Sequence, residues 1–316
     1  MQSILDLGAD VDSRFVVVAC AVDSFRPHQV ANERKALLAW LRTVPGGSRL
    51  AMESTGGYHE LLAELAHKAG LQVFVLNPRN VRRYAEGVGC RGKTDRMDAE
   101  VIARYVAREH RELHAYVPPT KPQRELMQLL RRRAKLVQTK GQLVQSLRGL
   151  PIVRAEAKRL LAEFDRLIAR LELMMRRCLE QTPAAREAAE RIATIPGFGA
   201  LSSMCLGHSF ARTPYGTSDA VVAANGLDPR PADSGQKHGR RRLSKRGPAE
   251  HRRILFNCAR SASRTKLWRP YYEAQVRKGL SSTAASVVLA RKMLRVAFAI
   301  YKNSQPFDPS QIAGRA

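Results

Sequence analysis

The sequence predicts an α/β domain at the N-terminus, a helical hairpin or coiled coil in the middle and a mostly α-helical C-terminal region. Three observations predict it. Strand and helix signals alternate through residue 115, leucines then recur every seven residues, and beyond residue 190 helical segments are parted by loops. The expected domains are 1–115, 116–190 and 191–316.

In the first domain, "SILDLGAD" and "RFVVVACAV" are short β-branched-rich runs joined by "VDS", the pattern of a strand pair. "RKALLAWLRTV" reads as a helix closed by "PGG". "SRLAME" is a strand, "YHELLAELAHKAG" a helix ended by glycine, and "LQVFVLN" a strand stopped by Pro78. Pro118, Pro119 and Pro122 mark "HAYVPPTKPQ" as a linker.

The middle domain carries Leu129, Leu136, Leu143 and Leu150, shadowed by Leu130, Val137 and Val144. After the break "GLPIV" come Leu160, Phe164, Leu167, Leu171, Met174 and Cys178, at alternating fours and threes. Two such stripes fit an antiparallel hairpin or coiled coil, and two helices of an ordinary bundle would show the same pattern. In the third domain "TIPGFGALSSMCL" sets Gly197 and Gly199 in a turn between helices. That turn resembles a helix-hairpin-helix, whose amides hold phosphate, although a tight connection also explains it. "SVVLARKMLRVAFAIYKN" is a closing amphipathic helix, and the tail from Ser304 is expected to fray.

Lys and Arg number 54 against 28 Asp and Glu, a net charge of +26. Such an excess implies a polyanionic partner, nucleic acid first and an acidic membrane second. Arg131, Arg132 and Arg133 concentrate it on the first long helix. No run approaches the ~18 apolar residues of a spanning helix, and "MQSILDLGAD" lacks the features of a signal peptide, so a cytoplasmic protein is expected. The five cysteines are odd in number and scattered, which fits neither a disulfide framework nor a paired zinc site. They read as reduced packing residues.

The stretch "CRGKTDRMDAE" places Asp95 and Asp98 three apart, on one face of a helix. Thr94 or Asp95 capping a helix would account for part of it. Asp10 and Glu53, however, end two apolar strands and could converge on the same spot. Two carboxylates ~4 Å apart repel by about 4 kcal/mol at an effective dielectric of 20, so such a cluster needs a cation within it. Oxygen donors alone suit Mg²⁺ or Mn²⁺, and a pair of these ions serves phosphodiester chemistry. Lys93 and Arg96 would then face phosphate. Asp6 and Asp12 flank Asp10 and leave the first ligand ambiguous.

Between 234 and 253, "SGQKHGRRRLSKRGPAEHRR" holds eight Lys or Arg residues and one Glu. A solvated run explains such composition. It also sets Ser244 among Arg240, Arg241, Arg242, Lys245, Arg246, Arg252 and Arg253. A serine hydroxyl is a weak nucleophile, and neighbouring cations would stabilise its alkoxide and clamp a phosphate. His110 and His114, at i and i+4, read as a solvated helix end. "KLWRPYYE" fits a base-stacking surface and an interdomain wedge equally.

"GADVDSR", "MESTGG" and "KTDRMDA", in that order, resemble the DEDD motifs of a family of bacterial insertion-sequence transposases that includes Piv-type DNA invertases and bridge-RNA-guided recombinases. "PGFG" at 196–199, "GLDPR" at 226–230, "SG" at 234–235, "LSKRG" at 243–247 and "HRRILFNCA" at 251–259 resemble its C-terminal domain. The resemblance implies an RNase H-like, RuvC-like N-terminal fold, with divalent metal on Asp10, Glu53, Asp95 and Asp98. Asp6 is the runner-up to Asp10. It further implies that Ser244 becomes covalently joined to DNA, with metal and acids activating the hydroxyl and the departing sugar oxygen. Ser202, Ser203, Ser234, Ser281 and Ser282 lack the S-K-x-G setting. The implied partners are donor and target DNA, a structured guide RNA, and further copies of the chain in a dimer or tetramer. A metal nuclease or junction resolvase using water, a protein-only invertase and a non-catalytic nucleic-acid binder are the rival readings.

Overall fold

The computed structural model describes residues 4–22, 25–54, 56–90, 92, 94–230 and 241–310. The chain divides into two compact units, Met1–Pro118 and Pro119–Ala316.

The first unit is built on a mixed sheet. Its strands are β1 (Asp6–Val11), β2 (Phe15–Cys20), β3 (His28–Ala31), β4 (Arg49–Glu53) and β5 (Gln72–Leu76), in the order β3-β2-β1-β4-β5. β1, β2 and β3 pair antiparallel, whereas β1, β4 and β5 run parallel. This arrangement is consistent with an RNase H-like domain. Alternation along the strands sorts side chains to two faces. Leu7, Ala9, Leu50 and Met52 pack with α1 (Arg34–Leu41) and α2 (His59–Lys68), burying Leu37, Trp40 and Leu62. On the other face Ala51 and Phe74 meet Ile102 and Val106 of α4 (Asp95–Glu109).

Gly8 decides how closely α4 can lie on the sheet. A Cβ there would stand 2.2 Å from the Ala99 carbonyl oxygen and 2.2 Å from the Ala103 amide nitrogen. The helix backbone occupies the volume that a side chain would take, and its own contact residues are alanines for the same reason.

Two elements differ from expectation. β3 was not foreseen, and Pro78 begins a helix, α3 (Pro78–Gly87), where it was expected only to stop β5. The Asn77 side chain accepts a hydrogen bond from the Arg79 amide at 3.0 Å, so an N-cap followed by proline at the first helical position starts α3.

The second unit opens with the expected antiparallel pair, α5 (Lys121–Ser146) and α6 (Arg154–Glu180). A capping box of Thr120 and Gln123 starts α5. On α6 Phe164, Leu171 and Cys178 of the predicted stripe face inward, whereas its other three members are replaced by the residues that follow them. Leu161, Phe164, Ile168, Leu171, Met175 and Cys178 turn inward, while Leu160, Leu167 and Met174 remain exposed. Polar pairs lock the register, Arg133 to Glu172 at 2.7 Å and Lys140 to Asp165.

Beyond the hairpin come α7 (Pro183–Ala193), α8 (Ala200–Arg212), α9 (Ser218–Ala224), the short ribbon β6 (Pro229–Arg230) with β7 (Arg242–Leu243), then α10 (Ala249–Ala262), α11 (Arg269–Arg277) and α12 (Ser282–Asn303). Leu126, Leu130, Met175 and Cys178 at the hairpin base share one core with these helices, so no break in packing parts residues 116–190 from 191–316.

Trp268 lies fully inside that core and donates from its indole nitrogen to the Pro196 carbonyl at 2.8 Å. It therefore belongs to the interior of this unit and not to a base-stacking surface. The tail is likewise held near Phe307, whose amide donates to Thr194 Oγ1 at 3.1 Å. All five cysteines are free. No described helix is long and apolar enough to cross a membrane.

Candidate active site

In the first unit, strand register places the acids. β1 and β4 pair Gly8 with Ala51 and Ala9 with Met52, so the next rung sets Asp10 beside Glu53. Both lie at the strand ends on the α4 face. α4 begins there, because its Ala99 and Ala103 rest on Gly8 further back along β1. Thr94 caps α4, its hydroxyl accepting from the Met97 amide at 3.2 Å, so capping is not the task of Asp95.

The Asp10 carboxyl is pushed up to about 6, first by burial and then by the charges of Asp98, Asp95 and Glu53, against a smaller lowering by the Val11 amide. All four acids thus share one electrostatic neighbourhood. The expected convergence stops short of ligation, since among the described residues no three Asp, Glu, His or Cys side chains are arranged to hold one metal ion. Mutual repulsion spreads carboxylates that only a cation would draw together. The donors fit a hard divalent ion in kind, being all oxygen, and Asp10's raised carboxyl marks the excess of negative charge that such an ion would relieve.

The flanking aspartates have other partners. Asp6 pairs with Arg49, whose Nη2 donates at 3.1 Å, and Arg49 also meets His110 Nε2. His110 is therefore tied to β4 and is not a purely solvated helix end. Asp12 accepts from the Phe15 amide at 2.7 Å within the β1–β2 turn, which holds its carboxyl below the usual range. Arg96 is paired with Glu100 at 2.9 Å on the α4 surface, and Lys93 lies outside the described residues.

In the second unit, the β6–β7 ladder pairs Pro229 with Leu243 and Arg230 with Arg242, so the following rung sets Asp228 opposite Ser244. The Ser244 amide donates to the Asp228 carbonyl at 3.0 Å, and its hydroxyl donates to the Asp228 carboxylate. The Arg246 amide approaches the same hydroxyl at 3.4 Å. Lys245 adopts a left-handed backbone, φ 53°, and its amide donates to Gly226. Ser244 is buried, whereas Lys245, Arg246, Arg241 and Arg242 are exposed around it. Arg252 donates to the Gly247 carbonyl, closing this loop from α10. Asp228 was missed in the sequence, where it fills the open position of "GLDPR" and nothing marks it.

The other serines stand in different settings. Ser202 exchanges hydrogen bonds with Gly199 at 2.8–2.9 Å, Ser203 is buried, Ser281 caps α12, Ser282 begins that helix, and Ser234 lies outside the described residues, as does Arg240. The Gly199 amide is consequently engaged by Ser202. Gly197, at φ 102°, fits closely against Ala262 and Met293. The glycine turn is thus a packing device before anything else.

One cavity of about 220 Å³ joins three separately expected groups, Arg133 of α5, Gly199 at the start of α8 and Arg253 of α10. Arg131 and Arg132, just before Arg133 on α5, are exposed and do not line this cavity, and Arg253 also pairs with Glu250.

A transposase family model of the DEDD IS110 type matches residues 8–150, and the model of the transposase IS116/IS110/IS902 family matches residues 189–273. The chain is similar to the pilin gene-inverting protein of Moraxella bovis, 29% identical over 270 residues that cover 82% of this chain and 81% of the relative. Its counterpart in Moraxella lacunata is 29% identical over 272 residues, with the same coverage. The transposase of insertion sequence IS1328 from Yersinia enterocolitica is 27% identical over 295 residues, covering 82% and 85%.

Proposed function

The chain belongs to the insertion-sequence transposase family of these models, whose activity is DNA cleavage and rejoining, and we propose that Ser244 is the nucleophile that joins it covalently to DNA. The observation that carries the reading is the shared neighbourhood of Asp10, Glu53, Asp95 and Asp98, four acids from three distant segments gathered in a chain of net charge +26. Asp10 is the better first ligand, since Asp6 and Asp12 are committed to Arg49 and to a turn.

A Mg²⁺ or Mn²⁺ ion held by these acids would supply positive charge to the phosphate and to the departing sugar oxygen. The chain's own residues do the rest. Ser244 is fixed by the β6–β7 ribbon, and Lys245, Arg246, Arg241 and Arg242 offer charge to the same phosphodiester. Arg133 and Arg253 line a second place for backbone phosphate, and Arg131 and Arg132 add exposed charge on other faces of α5. The phosphoserine link conserves the energy of the broken bond, so strands can be rejoined without a nucleotide cofactor.

Exchange between duplexes requires several active sites. The exposed ridge Leu160, Leu167 and Met174 supports pairing of the hairpin with another copy, giving a dimer or tetramer. A structured guide RNA would supply target choice. Similarity to gene-inverting proteins favours a second reading, inversion by protein alone.

The test is a protein–DNA adduct that survives denaturant, formed in cells carrying the encoding DNA segment with its flanks on a plasmid. Wild type should give it and Ser244→Ala should not. Cleavage persisting in Ser244→Ala would establish water as the nucleophile. Sequencing of RNA co-purified without nuclease treatment separates the two targeting readings. A discrete species from the flanks supports guidance, and a random mixture supports the protein-only invertase.

A further inference from the structure

We propose that Asp228 is the general base for Ser244, an inference that rests on the serine reading above. The hydroxyl already donates to that carboxylate, and an ionised carboxylate can only accept, so the shared proton lies on the line along which it would leave. The pair is held by backbone as well as side chain. The β6–β7 ladder sets the two residues opposite each other, and the Ser244 amide is bonded to the Asp228 carbonyl at 3.0 Å.

The surrounding loop is interlocked, which fixes the approach. A Cβ on Gly226 would stand 2.7 Å from the Arg246 amide nitrogen, and one on Gly247 would stand 2.1 Å from the Ala224 carbonyl oxygen. Two loops therefore seat glycine against backbone on either side of Ser244. The left-handed Lys245 makes the turn that aims the Arg246 amide at the serine oxygen. Such a backbone is uncommon for a lysine, a strain tolerated where geometry serves function. The arrangement leaves the oxygen with its proton toward Asp228 and lone-pair density for a phosphorus atom.

In the forward step the proton passes from Ser244 Oγ to the Asp228 carboxylate as the Oγ–P bond forms. The P–O bond to the sugar breaks, its electron pair stays on the sugar oxygen, and that oxygen takes a proton from solvent. In rejoining, a sugar hydroxyl attacks the phosphoserine and releases its proton to solvent, and Asp228 returns its own proton to Oγ. Atoms and charge balance over the cycle, and no other reactant is needed.

Asp228→Asn separates this role from mere positioning, because an amide oxygen still accepts the serine hydrogen bond but cannot hold the proton. The adduct assay on the plasmid-borne native segment is run with Asp228→Asn and Asp228→Glu, alongside melting temperature and DNA retention. Asp228→Asn should lower adduct formation about a hundredfold or more while melting and DNA retention stay at wild-type values, and Asp228→Glu should recover part of the rate. Adduct within threefold of wild type in Asp228→Asn overturns the proposal and leaves the serine reading intact. So does a loss in both variants that tracks a loss of folding. Absence of any adduct from wild type would instead overturn the serine reading itself.

Discussion

Gly8 and Ala103 meet backbone to backbone, and the helix resting on that contact carries Asp95 and Asp98 to the strand ends that carry Asp10 and Glu53. A methyl group at Gly8 has no flexible neighbour to displace, so the helix itself must move. Gly8→Ala should cost about 2 kcal/mol or more by overpacking, lower the melting temperature and reduce recombination beyond the loss of folded protein. An unchanged melt would contradict the packing described.

Asp10→Asn should stabilise the chain while removing activity. The native carboxyl binds its proton more tightly than the unfolded one, about 6 against 3.8. Its contribution is therefore fully present below pH ~4 and lost as pH rises through ~6. At pH 7.5 in chelator the variant should melt higher, by on the order of 1 kcal/mol once solvent screening of a half-buried group is allowed for. Added Mg²⁺ or Mn²⁺ should raise the wild-type melt and not the variant's. Equal metal responses would remove Asp10 from the ligand set.

Asp6→Asn should behave in the opposite way. It strips Arg49 of its carboxylate in a mostly buried pair and should cost about 2 kcal/mol. The metal-dependent rise in melting temperature should remain, and its loss would reassign the first ligand to Asp6.

His208 gives the second unit an acid weakness. It is buried, neither ring nitrogen has a hydrogen-bond partner among the described residues, and burial followed by the nearby Arg212 and His251 lowers it to about 4. A depressed native value means that stability is present above pH ~6.5 and lost as pH falls toward 4, by on the order of 3 kcal/mol. His208→Leu should flatten this decline in a pH series of thermal melts. The slope has the opposite sign to that of Asp10, so the two units should part company in acid.

Replacing Leu160, Leu167 and Met174 together with lysine should lower the association state in sedimentation while leaving the melt within about 1 °C, because these side chains are exposed on the monomer. Unchanged association would place the interface elsewhere.

Most of the sheet was legible because β-branched runs and glycine stops are local signals. β3 was not, since "HQVA" is short and half of it faces solvent. α3 was hidden by reading Pro78 as an ending, when a proline behind an asparagine cap equally begins a helix. On α6 two apolar stripes lie side by side, and spacing alone could not tell the seam of Leu161, Ile168 and Met175 from the ridge one residue earlier. The four acids could be picked out by residue type and position. Asp228 could not, because its importance arises only when a ladder sets it across from a serine sixteen residues away.

At ~1.5 Å per residue, the 26 residues of α5 extend about 39 Å. Because Arg133–Glu172 and Lys140–Asp165 tie the two helices together, any tilt would carry the hairpin as a single beam. A pivot of about 5° at its root carries the far end through roughly 3 Å, given that length. Modest repacking near the fulcrum would thereby be geared up into a stroke comparable to the spacing between base pairs.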